Sequence, residues 1–310
     1  MQSNWFTPGK EEVEVEHAFL SVVILGEIWD SHAELEQLGD GTYGTVSMAR
    51  SSGRLVAVKA FKKTYEPINF KGAAAEVVIS YKASHRAIAK FEGAYLSPLD
   101  SSIYMSMEYM DAGCLRDLIF YQDLPPAAVA RVVQEILLGL EYLHSNGVIH
   151  RDIKPENVLV NRAGAIKIAD FGLATFYKGD CASDCCYIGT PYYMAPEYTF
   201  STFGYGFGVD IWAVGIIAFE MLQGDVPYAD QKVERATMLM FTQGRPKVPE
   251  TLVFDRILDS LLDANPRTRA SASSVLERKD FRNLVRACDS LAPFIEAGIK
   301  ARITESQFAE

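Results

Sequence analysis

A carboxylate, a lysine and an asparagine follow one another closely near the middle of the chain. Residues 150–157 have the sequence HRDIKPEN, which places Lys154 and Asn157 shortly after Asp152. Asp170 follows as the first residue of a DFG triplet. Phosphoryl transfer needs a carboxylate that orients and deprotonates a hydroxyl, a cation near the moving phosphate, and oxygen ligands for Mg²⁺. These residue types can supply that chemistry, although a charged turn between two strands would explain residues 150–157 taken alone.

A second group of candidate residues lies in the first third of the chain. Residues 39–46 have the sequence GDGTYGTV, so Gly39, Gly41 and Gly44 could let the backbone approach phosphate oxygens. The strand that follows carries Lys59 in the sequence VAVK, a pattern in which the lysine contacts phosphates. An ordinary hairpin turn and a solvated lysine are the competing interpretations. The order of the motifs along the chain favours the phosphate site.

Strand and helix patterns place these residues on regular elements. Three short, partly alternating runs are predicted strands, namely Leu35–Leu38, Thr45–Ala49 and Leu55–Phe61. Residues 70–84 have helical character, and Glu76 is the acidic residue on their apolar stripe. Taken alone, Glu76 is a solvated helix carboxylate, and a pairing with Lys59 is implied only by the resemblance that the whole series of motifs carries.

The region after residue 109 is predicted to be mainly helical. One helix should span about Pro126–Ser145, with apolar residues at helical spacing and a stop at Asn146–Gly147. An apolar strand at residues 166–169 then precedes Asp170. Residues 150–157 would form a loop between two short strands.

Composition limits the classes of protein to which the chain can belong. Its 310 residues are 49% apolar, enough for one large domain or two lobes with a sizeable core. A net charge of −10 argues against nonspecific binding to nucleic acid or anionic membranes, both of which favour a basic surface. Five cysteines in so long a chain favour a reducing compartment, and the apolar residues 18–26 are too few to span a bilayer. A cytoplasmic or nuclear protein is therefore expected.

Taken in series, the motifs resemble those of eukaryotic-type serine/threonine protein kinases. The series continues with GTPYYMAPE at residues 189–197, DIWAVG at residues 210–215 and Arg269 in PRTRA. The resemblance implies an α+β, bilobal protein kinase fold, with ATP between a β-rich N-lobe and an α-helical C-lobe. It also implies four segments, which are an N-terminal extension (1–30), the N-lobe (31–109), the C-lobe (110–281) and a C-terminal helical extension (282–310).

The resemblance also assigns roles to individual residues. The residues assigned to catalysis are Asp152, Lys154, Lys59 and Glu76. Those assigned to ATP binding are Leu38, Gly39, Gly41, Gly44, Val46, Ala57, Lys59, Glu108 and Met110. The expected ligands of Mg²⁺, for which Mn²⁺ is a possible substitute, are Asn157 and Asp170. Structural roles are implied for Asp210 and for Glu197 paired with Arg269, because a buried carboxylate needs such a partner.

An activation segment is implied from Asp170 to Glu197. Within it Thr190 could hydrogen-bond both Asp152 and Lys154, which is a trait of serine/threonine kinases. Lys154 itself points to the same substrate class, because tyrosine kinases usually differ at this position.

The regulatory site of that segment leaves two hypotheses open. The position three residues before Gly189 usually carries the phosphorylated hydroxyl, and here it is Cys186. In the first hypothesis a neighbouring hydroxyl takes the phosphate, at Ser183 or Tyr187, with Thr175 as a further choice. In the second, oxidation supplies the control, either as a sulfinate at Cys186 or as a disulfide between two of Cys181, Cys185 and Cys186.

Three alternatives concern the function as a whole. A weaker resemblance to MAP kinase kinases and the STE group allows a dual-specificity enzyme. A pseudokinase-like scaffold would keep the motifs and signal by binding. A small-molecule kinase shares part of residues 150–157 but not the DFG and APE motifs. The partners implied are protein substrates and an upstream kinase, with no nucleic acid and no membrane span, and the oligomeric state is left open.

Two departures from the family pattern and one cysteine carry expectations of their own. Ser80 stands where the family has an apolar residue, so the helix that carries Glu76 could need outside support. Val13–His17 alternates like a strand, which suggests that the N-terminal extension packs on the small lobe. Cys114 is expected to begin a helix, and its thiol pKa is therefore expected to be lowered.

Overall fold

The computed structural model describes most of the chain and divides it into two compact units. The described residues are 5–6, 10–40, 44–61, 67–99, 101–177, 189–200, 205–247 and 252–308. One unit, the sheet unit, comprises Asn4–Met110 together with Asp170–Ala174. The other, the helical unit, comprises Asp111–Ala169 and Thr175–Glu310.

A six-stranded sheet forms the centre of the sheet unit. Its strands are β1 (Val23–Leu25), β2 (His32–Asp40), β3 (Gly44–Ser51), β4 (Arg54–Phe61), β5 (Phe91–Leu96) and β6 (Ile103–Glu108). They lie in the order β1-β5-β6-β4-β3-β2. Strand β1 is parallel to β5, and all other neighbours are antiparallel. The three predicted strands are confirmed as parts of β2, β3 and β4, although β2 is exposed along most of its length and four consecutive residues of β4, 56–59, are buried.

Among its described residues the sheet unit has two α-helices, and part of one of them was predicted as a strand. Helix α2 (Pro67–Lys82) is the predicted helix of Glu76, and helix α1 (Glu11–Val22) packs against it. The strand prediction for Val13–His17 is wrong, because this segment lies within α1. Glu11, Val15 and Phe19 are buried at a spacing of four, which matches one face of a helix and not of a strand.

The other α-helices in the described part of the chain lie in the helical unit. They are α3 (Leu115–Tyr121), α4 (Pro126–Ser145), α5 (Pro196–Phe200), α6 (Gly208–Gln223), α7 (Val233–Gln243), α8 (Leu252–Leu261), α9 (Ala272–Glu277), α10 (Lys279–Arg286) and α11 (Ala292–Phe308). Helix α4 has Pro126 in its first turn and ends before Gly147, whose φ of 77° suits glycine. Helix α6 is buried on nearly every side and packs against α4 and α8. In the part of the chain that the structure describes, every helix is too short or too polar to cross a membrane.

Two short antiparallel strand pairs hold the loops of the helical unit. Strand β7 (Val148–Ile149) pairs with β10 (Thr175–Phe176), and β8 (Val158–Val160) pairs with β9 (Ile166–Ile168). Residues 150–157 therefore run from the end of β7 to the start of β8, as the sequence predicted. A 3₁₀ turn at Pro155–Asn157 leads directly into β8.

Candidate active site

A buried cation of the sheet unit lies between two carboxylates. Lys59 is on β4, and its Nζ donates to Oε1 of Glu76 at 2.6 Å and to Oδ1 of Asp170 at 2.8 Å. Burial alone would lower the pKa of Lys59, but the two carboxylates outweigh it and raise that pKa above its ordinary value. For Glu76 burial is the larger influence and raises the pKa of the carboxyl, with the charge of Lys59 opposing it. The predicted pairing of Glu76 with Lys59 is present.

Asp170 is held in an uncommon backbone conformation. Its φ is 63°, in the left-handed region, and the backbone N–H of Gly172 donates to its Oδ1 at 3.3 Å. A side chain at Gly172 would meet Oε2 of Glu76 at 3.1 Å and Oδ1 of Asp170 at 3.2 Å. Glycine at this position therefore leaves room for both carboxylates.

A second set of polar residues surrounds Asp152 in the helical unit. Thr190 donates from Oγ1 to Oδ1 of Asp152 at 2.9 Å, and Lys154 lies 2.8 Å from Oδ2. Lys154 also donates to Oγ1 of Thr190 at 3.0 Å. The carboxylate of Asp152 is thus fixed in orientation beside a cation, and the residue is buried. The contacts expected of Thr190 are both present.

Asn157 fixes the same carboxylate from within the loop. Its Nδ2 donates to the backbone oxygen of Asp152 at 2.8 Å and to Oδ2 at 2.9 Å. Both of these bonds use the amide nitrogen, which leaves the amide oxygen as the atom suited to a cation. Carboxylate and amide oxygens are the ligands that Mg²⁺ takes, usually one or two from protein with water and phosphate supplying the rest. Taken singly, the amide oxygen of Asn157 and the carboxylate of Asp170 are each of a donor type that suits such an ion, and the described residues contain no group of three or more acidic, histidine or cysteine side chains that could hold a metal.

Asp210, predicted only as a structural residue, anchors the loop through its backbone. Its Oδ2 accepts from the backbone N–H of His150 at 2.9 Å, and its Oδ1 accepts from that of Arg151 at 2.9 Å. His144, at the end of α4, adds a bond from Nε2 at 2.8 Å. Burial alone would raise the pKa of Asp210, but these hydrogen bonds and histidines outweigh it and lower that pKa. The role of His144 was missed, since only its place in the last turn of a helix before the loop could have indicated it.

The expected ion pair between Glu197 and Arg269 is present and deeply buried. Arg269 donates from Nη1 to Oε1 of Glu197 at 2.5 Å and from Nη2 to Oε2 at 2.8 Å. It also donates to the backbone oxygen of Gly208 at 2.8 Å, and its guanidinium lies 5.0 Å from the ring centroid of Trp212. This bidentate arrangement satisfies a carboxylate that water does not reach.

A further polar network went unrecognised in the sequence. Arg116 of α3 donates to Glu220 of α6 and, at 2.6 Å, to the hydroxyl of Tyr193. Tyr193 in turn donates to Oε2 of Glu220 at 2.8 Å, and Glu156 accepts from Nε of Arg116 at 2.9 Å. Burial and the charge of Glu220 raise the pKa of Tyr193, so the phenol stays a hydrogen-bond donor. The network ties the segment after Thr190 to two helices.

The residues expected to bind the nucleotide lie on adjoining strands of the sheet unit. Those at the ends or within the strands are Leu38, Gly39, Gly44, Val46, Ala57 and Glu108, with Met110 just after β6. Val46 lies opposite Lys59 in the β3–β4 pair. Glu108 accepts the backbone N–H of Lys90 at 2.6 Å, so its side chain is engaged within the sheet unit. Gly41 lies outside the described residues.

The regulatory residues of the activation segment are only partly described. Ser183, Cys186 and Tyr187 all lie outside the described residues. Thr175 is in β10 and half-buried. Both hypotheses for this segment therefore remain predictions.

Cys114 corrects one expectation. It caps α3, and its backbone N–H donates to Oδ2 of Asp117 at 3.2 Å, while its Sγ lies 3.5 Å from the same oxygen. Burial raises the pKa of the Cys114 thiol above its ordinary value. The lowered pKa expected from a helix N-terminus is therefore wrong, because desolvation of the thiolate outweighs the favourable backbone hydrogen bonds.

Comparison with known proteins agrees with this geometry. Residues 32–281 match the model of the protein kinase domain. Serine/threonine-protein kinase pakA of Talaromyces marneffei is 34% identical over 293 residues, which cover 91% of this chain and 44% of that protein. Serine/threonine-protein kinase ste20 of Emericella nidulans is 34% identical over 306 residues, which cover 95% of this chain and 35% of that protein. The chain thus spans less than half the length of these relatives. The matched residues make up most of the sequence, and the chain belongs to the protein kinase domain family.

Proposed function

We propose that this chain transfers the γ-phosphate of ATP to serine and threonine hydroxyls of protein substrates in a signalling pathway. The observation that carries the proposal is the setting of Asp152. Its carboxylate is oriented by Asn157 and Thr190 and lies beside the ammonium of Lys154. A carboxylate so held can accept the proton of an incoming hydroxyl, while the lysine offsets charge on the transferred phosphate.

The Lys59 set supports the other half of the reaction. Lys59 keeps its positive charge because two carboxylates raise its pKa, so it can hold phosphate oxygens at any physiological pH. Asp170 and Asn157 each carry an oxygen donor of the type that suits a divalent ion, for which Mg²⁺ is the proposed occupant and Mn²⁺ the alternative. The ion would neutralise phosphate charge, and the residues of this chain would orient the two reacting groups.

Two features favour serine and threonine over tyrosine as acceptors. Thr190 contacts both Asp152 and Lys154, an arrangement typical of serine/threonine kinases. The relatives named above are also serine/threonine-protein kinases. An upstream kinase acting on the activation segment, and a cytoplasmic or nuclear location, remain proposals that rest on the sequence.

The test uses the full chain with γ-labelled ATP, Mg²⁺ and three acceptors in parallel. These are a peptide library with serine and threonine, the same library with tyrosine only, and a mixture of small alcohols. The proposal expects label on the first library. Label confined to tyrosine peptides or to alcohols would contradict the proposed substrate class, and label on none would favour a scaffold. Replacing Mg²⁺ by Mn²⁺ in the same assay separates the two candidate metals.

A further inference from the structure

The helix that carries Glu76 is covered on more than one side. Within α2, Ala73, Ala74 and the uninterrupted run 76–80 are buried. Successive helix residues point about 100° apart, so an unbroken buried run cannot all face a single sheet. Helix α1 packs along α2 and supplies further cover.

Phe19 is the centre of this helix contact. Its side chain is 1% exposed, and its ring meets that of Phe70 edge-on, with centroids 5.4 Å apart and an interplanar angle of 81°. Val15, one turn earlier on the same face, is also buried. The ion pair between Glu12 and Lys71, at 3.4 Å, joins two side chains that are each more than 70% exposed and therefore adds little. Apolar packing, centred on Phe19, holds α1 on α2.

The end of α1 is fixed to the sheet that carries Lys59. Strand β1 begins directly after α1 and pairs with β5. The backbone N–H of Gly26 then donates to the oxygen of Leu96 at 3.1 Å, and Ser97 donates to Oε1 of Glu27 at 2.6 Å. Ile28 follows in the core beneath the sheet. A helix tethered in this way cannot shift along α2 without breaking strand pairing.

The ion pair of Glu76 and Lys59 does not secure α2 by itself. Removing both charges from water costs free energy that their attraction offsets only when the geometry is well kept. That geometry depends on what packs against α2. Ser80, buried in the same helix, offers little apolar surface for the purpose.

From these contacts we infer that residues 11–25 are a built-in support for α2, and that Phe19 is a positioning residue acting on phosphoryl transfer through Glu76. This segment precedes residue 32, where the match to the kinase family begins, so the support lies outside the family domain. The inference rests on the proposed function. It makes the N-terminal segment part of the working enzyme.

The experiment compares Phe19→Ala with Leu20→Ala in the full chain. Leu20 is the next residue of α1 and is 63% exposed, so its truncation is a matched control. We expect Phe19→Ala to lower kcat by about tenfold or more, because small displacements of a positioned group are costly to catalysis. Leu20→Ala should leave kcat unchanged, and Phe19→Leu should recover part of the loss.

A double-mutant cycle separates positioning from a general effect on folding. In a Glu76→Gln background, Phe19→Ala should lower kcat much less than it does in the wild type, because the group through which it acts is already altered. An equal loss in both backgrounds, or no loss in either, would overturn the inference. Circular dichroism and thermal unfolding check that each variant is folded. If Phe19→Ala does not fold, Phe19→Leu takes its place in the double-mutant cycle. Wild type that labels no peptide would instead refute the proposed function.

Discussion

Asn157 donates two hydrogen bonds to Asp152, one to its backbone oxygen at 2.8 Å and one to its carboxylate at 2.9 Å. The same residue therefore sets the shape of the loop and the direction of its carboxylate. Thr190 completes the arrangement from another part of the chain.

The hydroxyl of Thr190 should matter to turnover more than its size. In Thr190→Val the volume is nearly kept, but the bonds to Asp152 and Lys154 are lost. One hydrogen bond to a charged group contributes about 1.5–3 kcal/mol, so kcat should fall by about tenfold to a hundredfold. Thr190→Ser keeps the hydroxyl and should stay close to wild type. Equal activities of the two variants in a peptide phosphorylation assay would show that the hydroxyl is not used.

Two glycines of the predicted phosphate loop should differ in their effect on stability. A Cβ at Gly44 would lie 2.4 Å from the backbone oxygen of Ala60, whereas one at Gly39 would meet nothing within 4 Å. Gly44→Ala should therefore reduce the free energy of unfolding by about 1–3 kcal/mol. Gly39→Ala should change it by about 0.5 kcal/mol or less. Urea unfolding of both variants measures this difference, and equal stabilities would contradict the close approach of β3 to β4.

The buried pair of Glu197 and Arg269 should be far more important to stability than an exposed pair. Arg269→Leu leaves a buried carboxylate without its cation, which should cost about 3–5 kcal/mol. Arg162→Leu is the matched control, because Arg162 and Glu296 are about half exposed, and it should cost about 0–1 kcal/mol. Thermal unfolding of the two variants provides the comparison. Similar losses would mean that Glu197 finds another partner.

Cys114 should react slowly with alkylating reagents at neutral pH. Burial raises its thiol pKa, so the reactive thiolate is scarcer at pH 7 than for a free cysteine and becomes abundant only at higher pH. The rate of iodoacetamide labelling of the Cys114 peptide, followed by mass spectrometry from pH 7 to pH 10, should rise at a higher pH than in the unfolded chain. If the pH midpoint of the labelling rate were lower than in the unfolded chain, the helix N-terminus and not burial would be the dominant influence on the thiol pKa.

Several contacts among the candidate site residues could be predicted because these residues are marked by local spacing. Each of four residues belongs to a short motif, namely Lys59, Asp152, Asn157 and Asp170. The order of these motifs along the chain is not one expected by chance. Contacts such as that of Thr190 with Asp152 followed from the family pattern. The structure brings Lys59 to Glu76 and Thr190 to Asp152, as expected.

The parts that escaped prediction depend on contacts between distant segments. His144 meets Asp210 across 66 positions, and Arg116 meets Glu220 across 104, with no motif to signal either pair. The segment Val13–His17 alternates over too few residues to distinguish strand from helix. The segment is helical in the structure and packs against α2, and that long-range contact cannot be read from the sequence of the segment itself. The raised pKa of the Cys114 thiol likewise depends on burial that arises only in the folded unit.

The most direct test of the account concerns the carboxylate of Asp152. Asp152→Asn should bind ATP nearly as wild type does, because this side chain acts on the acceptor hydroxyl, but transfer of labelled γ-phosphate to serine and threonine peptides should fall by about a hundredfold or more. Asp289→Asn, a change at an exposed carboxylate, is the control and should retain full activity. Wild-type turnover in Asp152→Asn, measured with ATP binding intact, would contradict the mechanism.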